Sequence, residues 1–364
     1  YKSSLLTAYQ RNDLISKISL VCHLCLYGLQ IGVLLFTTNF YAYAILLPIS
    51  TIVMNLCYEY FSKKYYPNII CKGQVPLELK AKIKKRVIGI MLYKISSTTR
   101  TSFDSIIISS FLGLVFLTKY QNYFMIISSI SGMLAVVSSS ITASVGDSIV
   151  SKNKESVYLD FRKFVFIYMW LAGVCTCCLA GALQAFMQLW VGTELLLDTT
   201  MVVLFCVYFY IQTMGDIVFL YRTAAGLWWQ DRIRPVVEAT ANISLNIIFV
   251  KVWGIHGVIL ATIITLLFIN FLWGAEILFK YYFCRSKKEY IILQIKQGCV
   301  SAIAAIGTGY ISSFFTNSFM MLWVRIGICV LISNCIFVGC YKNNALFYES
   351  KAFFNGLAKI FMKK

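Results

Sequence analysis

Ten long apolar stretches run the length of this 364-residue chain, at 18–37, 40–61, 88–117, 123–150, 164–190, 200–220, 236–251, 257–279, 297–315 and 319–341, and the basic residues sit almost entirely in every second connector. A hydrocarbon core about 30 Å thick takes roughly 20 helical residues to cross, and most of the stretches are long enough. The connectors 1–17, 62–87, 151–163, 221–235, 280–296 and 342–364 hold 28 of the 33 Lys and Arg residues, while the intervening short connectors carry only Lys119 and the borderline Lys251. Lys and Arg favour the cytoplasmic side, so the six basic connectors are expected inside. The pattern predicts an all-α, polytopic membrane protein with about ten transmembrane helices.

Composition agrees with that reading. Hydrophobic residues make up 59% and charged residues 13%, against about 25% charged in a soluble domain. The net charge of +18 does not indicate nucleic acid, because the basic residues are spread over six connectors and form no single basic domain. Attraction to anionic membrane lipids accounts for it more simply. Most of the thirteen cysteines lie inside spans, where a thiol behaves as a small hydrophobe. The Cys22-His23-x-Cys25 group in the first span has no second pair nearby, so no metal site is expected.

Connector 62–87 contains Pro67, Gly73 and Pro76, followed by LELKAKIKKR, which reads as a helix leading into the third span. It is the best candidate for a hinge between two helical groups. The tail 342–364 is basic and carries Phe347, Tyr348, Phe353, Phe354 and Phe361, the makings of a short amphipathic helix on the inner surface. The opening YKSSLLTAYQRND resembles a cytoplasmic loop between two spans, so the chain reads as a fragment lacking upstream spans.

Two clusters of polar residues lie inside the apolar stretches. In the third span, Lys94, Arg100 and Asp104 stand among Ser96, Ser97, Thr98, Thr99, Thr101, Ser102 and Ser105. Charges at this depth face a bundle interior or an aqueous cavity. Arg100 and Asp104 are four apart and can pair along the helix. The structural reading is that ion pair, with Lys94 snorkelling to the inner surface. The functional reading is a wet, cationic cavity wall for an anionic headgroup, since guanidinium binds phosphate oxygens bidentately. In the seventh span, Glu238, Asn242 and Asn246 recur every four residues and so share one helical face. They are expected to tie helices together by hydrogen bonds or to line a cavity. Arg325, near the outer end of the tenth span, is expected to snorkel outward. Asp147, Asp216, Gln184 and Gln188 are expected near the interfaces, and His256 lies in an outer WGIHG turn.

No soluble-enzyme motif is present: no phosphate-binding loop, no dinucleotide fingerprint and no zinc-protease helix signature. No catalytic residues and no cofactor are expected, and the chain is read as a non-enzyme.

The stretch GLWWQDRIRPVVEATANISLNIIFVKVWGIHGVILATIIT at 226–265 resembles the signature region of bacterial polysaccharide flippases of the multidrug/oligosaccharidyl-lipid/polysaccharide exporter superfamily. The matching positions are Arg222 and Gly226, then Gln230, Asp231, Arg232, Pro235, Glu238 and Asn242, then Gly254, Ile255 and Gly257. YKSSLLTAYQR, KKYYPNI, TRTSFDSIIISSFLGL, KYQNY, YLDFRKF and LWVG fit the same pattern, while Ala261 stands where the family often has glycine. The resemblance implies a fourteen-helix, two-lobe transporter in the bacterial cytoplasmic (inner) membrane. On that alignment 1–61 is the last part of the first lobe, 62–87 the cytoplasmic inter-lobe linker, 88–281 the second six-helix lobe, 282–341 two extra helices and 342–364 a cytoplasmic tail. Four upstream spans, roughly 120–140 residues, would then be missing.

The implied activity is movement of undecaprenyl-pyrophosphate-linked oligosaccharide repeat units to the outer leaflet for surface polysaccharide (O-antigen or capsule) biosynthesis, by alternating access. The implied partners are the lipid-linked oligosaccharide, membrane lipids, and polysaccharide polymerase and chain-length proteins. Lys94, Arg100, Asp104, Glu238, Asn242 and Asn246 are the candidate cavity residues. A multidrug exporter of the same superfamily and a membrane sugar polymerase or ligase are the alternatives. The second is disfavoured by the short, acidic outer connector VGTELLLDTT.

Overall fold

A computed structural model describes residues 2–9, 11–37, 39–67, 69 and 76–352. The Gly73 turn expected in the long connector and the tail residues Phe353, Phe354 and Phe361 lie outside the described residues. Among the described residues every regular element is helical. Among the described residues eight helices are long and apolar enough to cross a membrane, and the protein is an all-α, multi-pass membrane protein.

The chain divides into two compact units, Tyr1–Pro76 and Leu77–Lys364. In the first, α1 (Lys2–Ala8) packs on α2 (Asn12–Thr37) and α3 (Phe40–Tyr65). Asn39 starts α3 by accepting the amide hydrogens of Tyr41 and Ala42, the usual way an N-cap side chain satisfies orphan donors. Ser19 and Tyr58 meet at 2.7 Å across α2 and α3, over a small core of Leu6, Leu14, Ile18 and Tyr58. His23 Nδ1 lies 2.7 Å from the Ser19 carbonyl in its own helix. Leu20, Leu24, Leu35 and Phe36 point outward, as lipid-facing side chains must.

The second unit begins with α4 (Leu77–Leu112) and α5 (Leu114–Ser151). The lysine-rich run 77–86 forms the first turns of α4. At 1.5 Å per residue the 36 residues of α4 make about 54 Å of rod, longer than the bilayer core. Its charges and its run of Ser and Thr make α4 more polar than the eight apolar helices, and it is not one of them. The third apolar stretch was expected to run to 117, but α4 stops at Leu112. Gly113 sits at φ 90°, a conformation suited to glycine, and 114–117 start α5. Lys119, expected in a connector, therefore lies within α5.

Next come α6 (Lys154–Val191), α7 (Thr199–Met214) and α8 (Asp216–Ala224). Most of the basic connector 151–163 is helical, because Asn153 caps α6 by accepting the amide of Ser156.

The seventh and eighth stretches form one bent element. α9 (Arg234–Thr265) breaks at Gly254 (φ 56°, ψ −132°) and continues through Leu266–Trp273, α10 (Gly274–Leu278) and Phe279–Phe283, the first and last of these being π-helical. The arms 234–253 and 255–283 lie side by side: a Cβ on Gly257 would fall 2.2 Å from the Phe249 carbonyl oxygen. With this hairpin counted as two arms and α4 added, the described residues hold ten long helical segments at the ten apolar stretches.

α11 (Lys288–Ser312) and α12 (Phe319–Tyr341) pack on α6, and α4 lies along α9. A large apolar core built around Phe161, Phe205, Tyr221, Phe279 and Tyr290 joins α5–α8 to the hairpin. A smaller core of Phe166, Cys177, Ala304, Phe337, Tyr341 and Leu346 holds α6, α11, α12 and the short helix at 345–352 together. The described start of the tail thus docks on protein, with Phe347 stacked on Trp170 at 5.7 Å.

Candidate functional site

α4 and the two hairpin arms enclose a buried polar column. Asp104 on α4 receives hydrogen bonds from Asn246 Nδ2 (2.6 Å) and Thr262 Oγ1 (3.1 Å). Asn246 also donates to Asn242 Oδ1 at 3.2 Å, and Asn242 donates to Thr262 at 3.0 Å and to Thr265 at 3.5 Å. The four-residue spacing of Glu238, Asn242 and Asn246 places all three on the inner face of the first arm, and all are buried.

Glu238 links this amide–hydroxyl segment to a charged one. Its carboxylate accepts Arg234 Nη1 at 2.8 Å and Asn270 Nδ2 at 2.9 and 3.1 Å. Arg234 in turn donates to both oxygens of Asp231, at 2.6 and 3.1 Å, and Arg222 Nε lies 3.4 Å from Asp231. Buried charges persist only when paired and hydrogen-bonded, and here acids and bases alternate from Arg222 to Arg100. Gly274 leaves the space Arg222 needs, since a Cβ there would fall 2.5 Å from Nη1.

Arg100 joins the column loosely. Its Nη1 is 3.5 Å from Glu238 Oε1, close enough for charge pairing, yet this buried nitrogen makes no hydrogen bond. Asn246 Oδ1 and Arg222 Nη1 are likewise buried without a partner. Two cavities of about 10 Å³ each flank the guanidinium. One is lined by Asp104, Ser105, Tyr120, Gln121, Phe124, Tyr208 and Thr262; the other by Tyr93, Ser96, Ser97, Pro235, Glu238 and Asn270. Each is near the minimum that holds one water, and each offers the polar partners a water needs.

The structure therefore brings together five of the six candidates from sequence: Arg100, Asp104, Glu238, Asn242 and Asn246. Lys94 is exposed and takes no part in the column. The Arg100–Asp104 pair expected along α4 is replaced by an Arg100–Glu238 pair between helices, because Asp104 is occupied by Asn246 and Thr262. Sequence reading missed Thr262, Thr265, Asn270, Arg222, Asp231 and Arg234 as column members. The three- and four-residue steps from Asp231 to Arg234 to Glu238 were a usable signal. The hydroxyls and Asn270 stand in the eighth stretch, whose pairing with the seventh depends on the Gly254 bend.

Other polar residues find partners elsewhere. Asp216, expected at an interface, accepts the Tyr168 hydroxyl at 2.6 Å. Gln184 accepts from the Tyr123 hydroxyl and donates to the Leu197 carbonyl. Arg325, expected to snorkel outward, is buried on protein, bonding the Phe315 carbonyl and Asn317 Oδ1. Next to the Gly254 bend His256 Nε2 lies 3.0 Å from both oxygens of Asp198. Burial raises the Asp198 carboxyl, but the hydrogen bond and charge of His256 outweigh it and hold the group below its ordinary range. Among the described residues no group of three or more His, Cys, Asp and Glu side chains could hold a metal ion.

Comparison with protein-family models, curated proteins and solved structures returned no match.

Of the residues that carry the sequence resemblance, Arg222, Asp231, Glu238 and Asn242 are buried in the column and Gln230 is exposed. Gly226 and Gly254 adopt positive φ.

Proposed function

We propose that the protein moves a lipid-linked oligosaccharide across the bilayer, with the substrate's pyrophosphate drawn to Arg100. The observation that carries this reading is a membrane-embedded guanidinium with an unused donor, set between two polar cavities. A pyrophosphate cannot cross hydrocarbon bare, because an uncompensated charge there is prohibitively costly. Preorganised guanidinium donors replace its water. The polyprenyl tail stays in lipid throughout. No bond is made or broken, so binding and release by helix movement suffice. The resemblance of 226–265 to polysaccharide flippases points the same way and supplies the undecaprenyl carrier and the bacterial inner membrane.

A cation exporter is the second reading. It is favoured by Asp104, a buried carboxylate whose hydrogen bonds come from neutral groups. Proteoliposomes decide between the two. The flippase reading expects a fluorescent undecaprenyl-pyrophosphate sugar to become accessible in the opposite leaflet only when the protein is present. Efflux of a cationic dye with no movement of the lipid-linked sugar overturns it.

A further inference from the structure

We propose that Glu238 is an internal stand-in for the substrate's anion: it holds Arg100 while the site is empty and yields it when a phosphate arrives. This rests on the anion-binding reading of Arg100 given above and adds the group that regulates it.

The hydrogen-bond pattern sets the direction of exchange. Glu238 is held firmly from elsewhere, by Arg234 at 2.8 Å and by the Asn270 amide at 2.9 and 3.1 Å. Its contact with Arg100 is the long one, 3.5 Å, without hydrogen-bond geometry. Loss of Arg100 thus leaves the carboxylate charge-paired and hydrogen-bonded. Arg100, by contrast, gains: two phosphate oxygens can accept its planar donors side by side, where Glu238 meets one nitrogen at long range. The other carboxylate near the guanidinium, Asp104, is committed to Asn246 and Thr262 and does not compete in the same way.

The cavities supply the room. In the arrangement seen here each admits no more than a water, so a phosphate enters only as the hairpin arm bearing Glu238 and α4 bearing Arg100 move apart. The weak Arg100–Glu238 contact lies on that boundary. A self-ligand of this kind keeps a buried cation paired between turnovers and lowers apparent affinity for the true anion, because the competent state must first be released.

The experiment is binding of inorganic pyrophosphate to the purified full chain in lipid nanodiscs, by calorimetry, in the unsubstituted protein and four variants. Glu238→Gln removes the competing charge and is expected to tighten binding at least about fivefold, the lower end of typical coupling between two ligands. Glu238→Asp keeps the charge but draws it back from Arg100. It is expected to tighten binding too, which guards against a Gln variant that fails to fold. Arg100→Gln is expected to abolish binding. Asp216→Asn removes a half-buried acid outside the column and is expected to leave affinity unchanged. Equal affinity in the unsubstituted protein and both Glu238 variants overturns the exchange alone. An equal gain in Asp216→Asn overturns it as a general charge effect. Absence of binding in every folded variant overturns it together with the anion reading of Arg100.

Discussion

A guanidinium inside a bilayer carries a penalty of about 2.5–3.5 kcal/mol on insertion scales, so what surrounds Arg100 decides what its removal does. Glu238 keeps Arg234 and Asn270 without it. Arg100→Ala is therefore expected to abolish transport of the lipid-linked sugar while immunoblots of membranes show near-normal protein. Full transport activity would rule out the anion role. Asp104→Ala should behave differently. It strips the acceptor from one Asn246 amide hydrogen, while the Thr262 hydroxyl keeps the Val258 carbonyl at 3.2 Å. One buried donor left unmatched costs about 1–3 kcal/mol, and the substitution is expected to lower the melting temperature in detergent. Beside His256 the depressed Asp198 carboxyl has a pH signature. A carboxyl held below its unfolded value stabilises the fold above that value, and the contribution disappears as pH falls through the folded one. The pair is half exposed, so about 0.2–1 kcal/mol is at stake. Asp198→Asn should therefore lower the melting temperature slightly at neutral pH, leave the acid end unchanged, and so flatten the acid limb of the profile.

At the scale of elements, glycines decide where helices end and how closely they meet. A Cβ on Gly181 would fall 2.4 Å from Cys329 Sγ and 2.5 Å from Ser312 Oγ, and one on Gly173 would fall 2.6 Å from the Phe337 ring. α6 thus receives α11 and α12 through small residues, the usual device where lipid offers no hydrophobic drive to association. Gly181→Leu is expected to loosen that contact and make the loop at 313–318 sensitive to limited proteolysis while the hairpin stays resistant. Gly257→Ala presses on backbone, at the Phe249 carbonyl, and should lower stability by about 1–3 kcal/mol, the usual range for overpacking.

Much of this level was legible in sequence. Apolar length located the passes, and four-residue spacing placed Glu238, Asn242 and Asn246 on one face. The ends were less legible, since Gly113 stops α4 five residues before its apolar run does and Asn153 starts α6 inside a basic connector. Spacing along one helix also cannot reveal a partner on another. That is why Arg100 was matched with Asp104 when its nearest carboxylate across the helix interface is Glu238.

For the whole molecule, the basic connectors make the testable statement. Cys284 is exposed in the 280–296 connector, and Glu194 is exposed in the acidic 192–198 loop at the far end of α6 and α7. In two variants whose only cysteine is Cys284 or Glu194→Cys, a membrane-impermeant maleimide added to intact cells should label the second and not the first. Permeabilisation should then expose Cys284. Labelling of Cys284 in intact cells inverts the topology and removes the cytoplasmic placement of all six connectors.

The partners of α4 arrive late on the ribosome. Asp104 waits for Asn246 and Thr262, 142 and 158 residues further along the chain. At about 5–20 residues per second that interval is roughly 7–32 s. Through it α4, too polar to count among the apolar helices, has neither its hairpin nor a comfortable place in lipid. Biogenesis is therefore expected to hold it beside the insertion machinery until the Gly254 bend emerges. A photo-crosslinker at Ile106 should capture insertase components in nascent chains that end before α9, and lose them once Thr265 has left the tunnel.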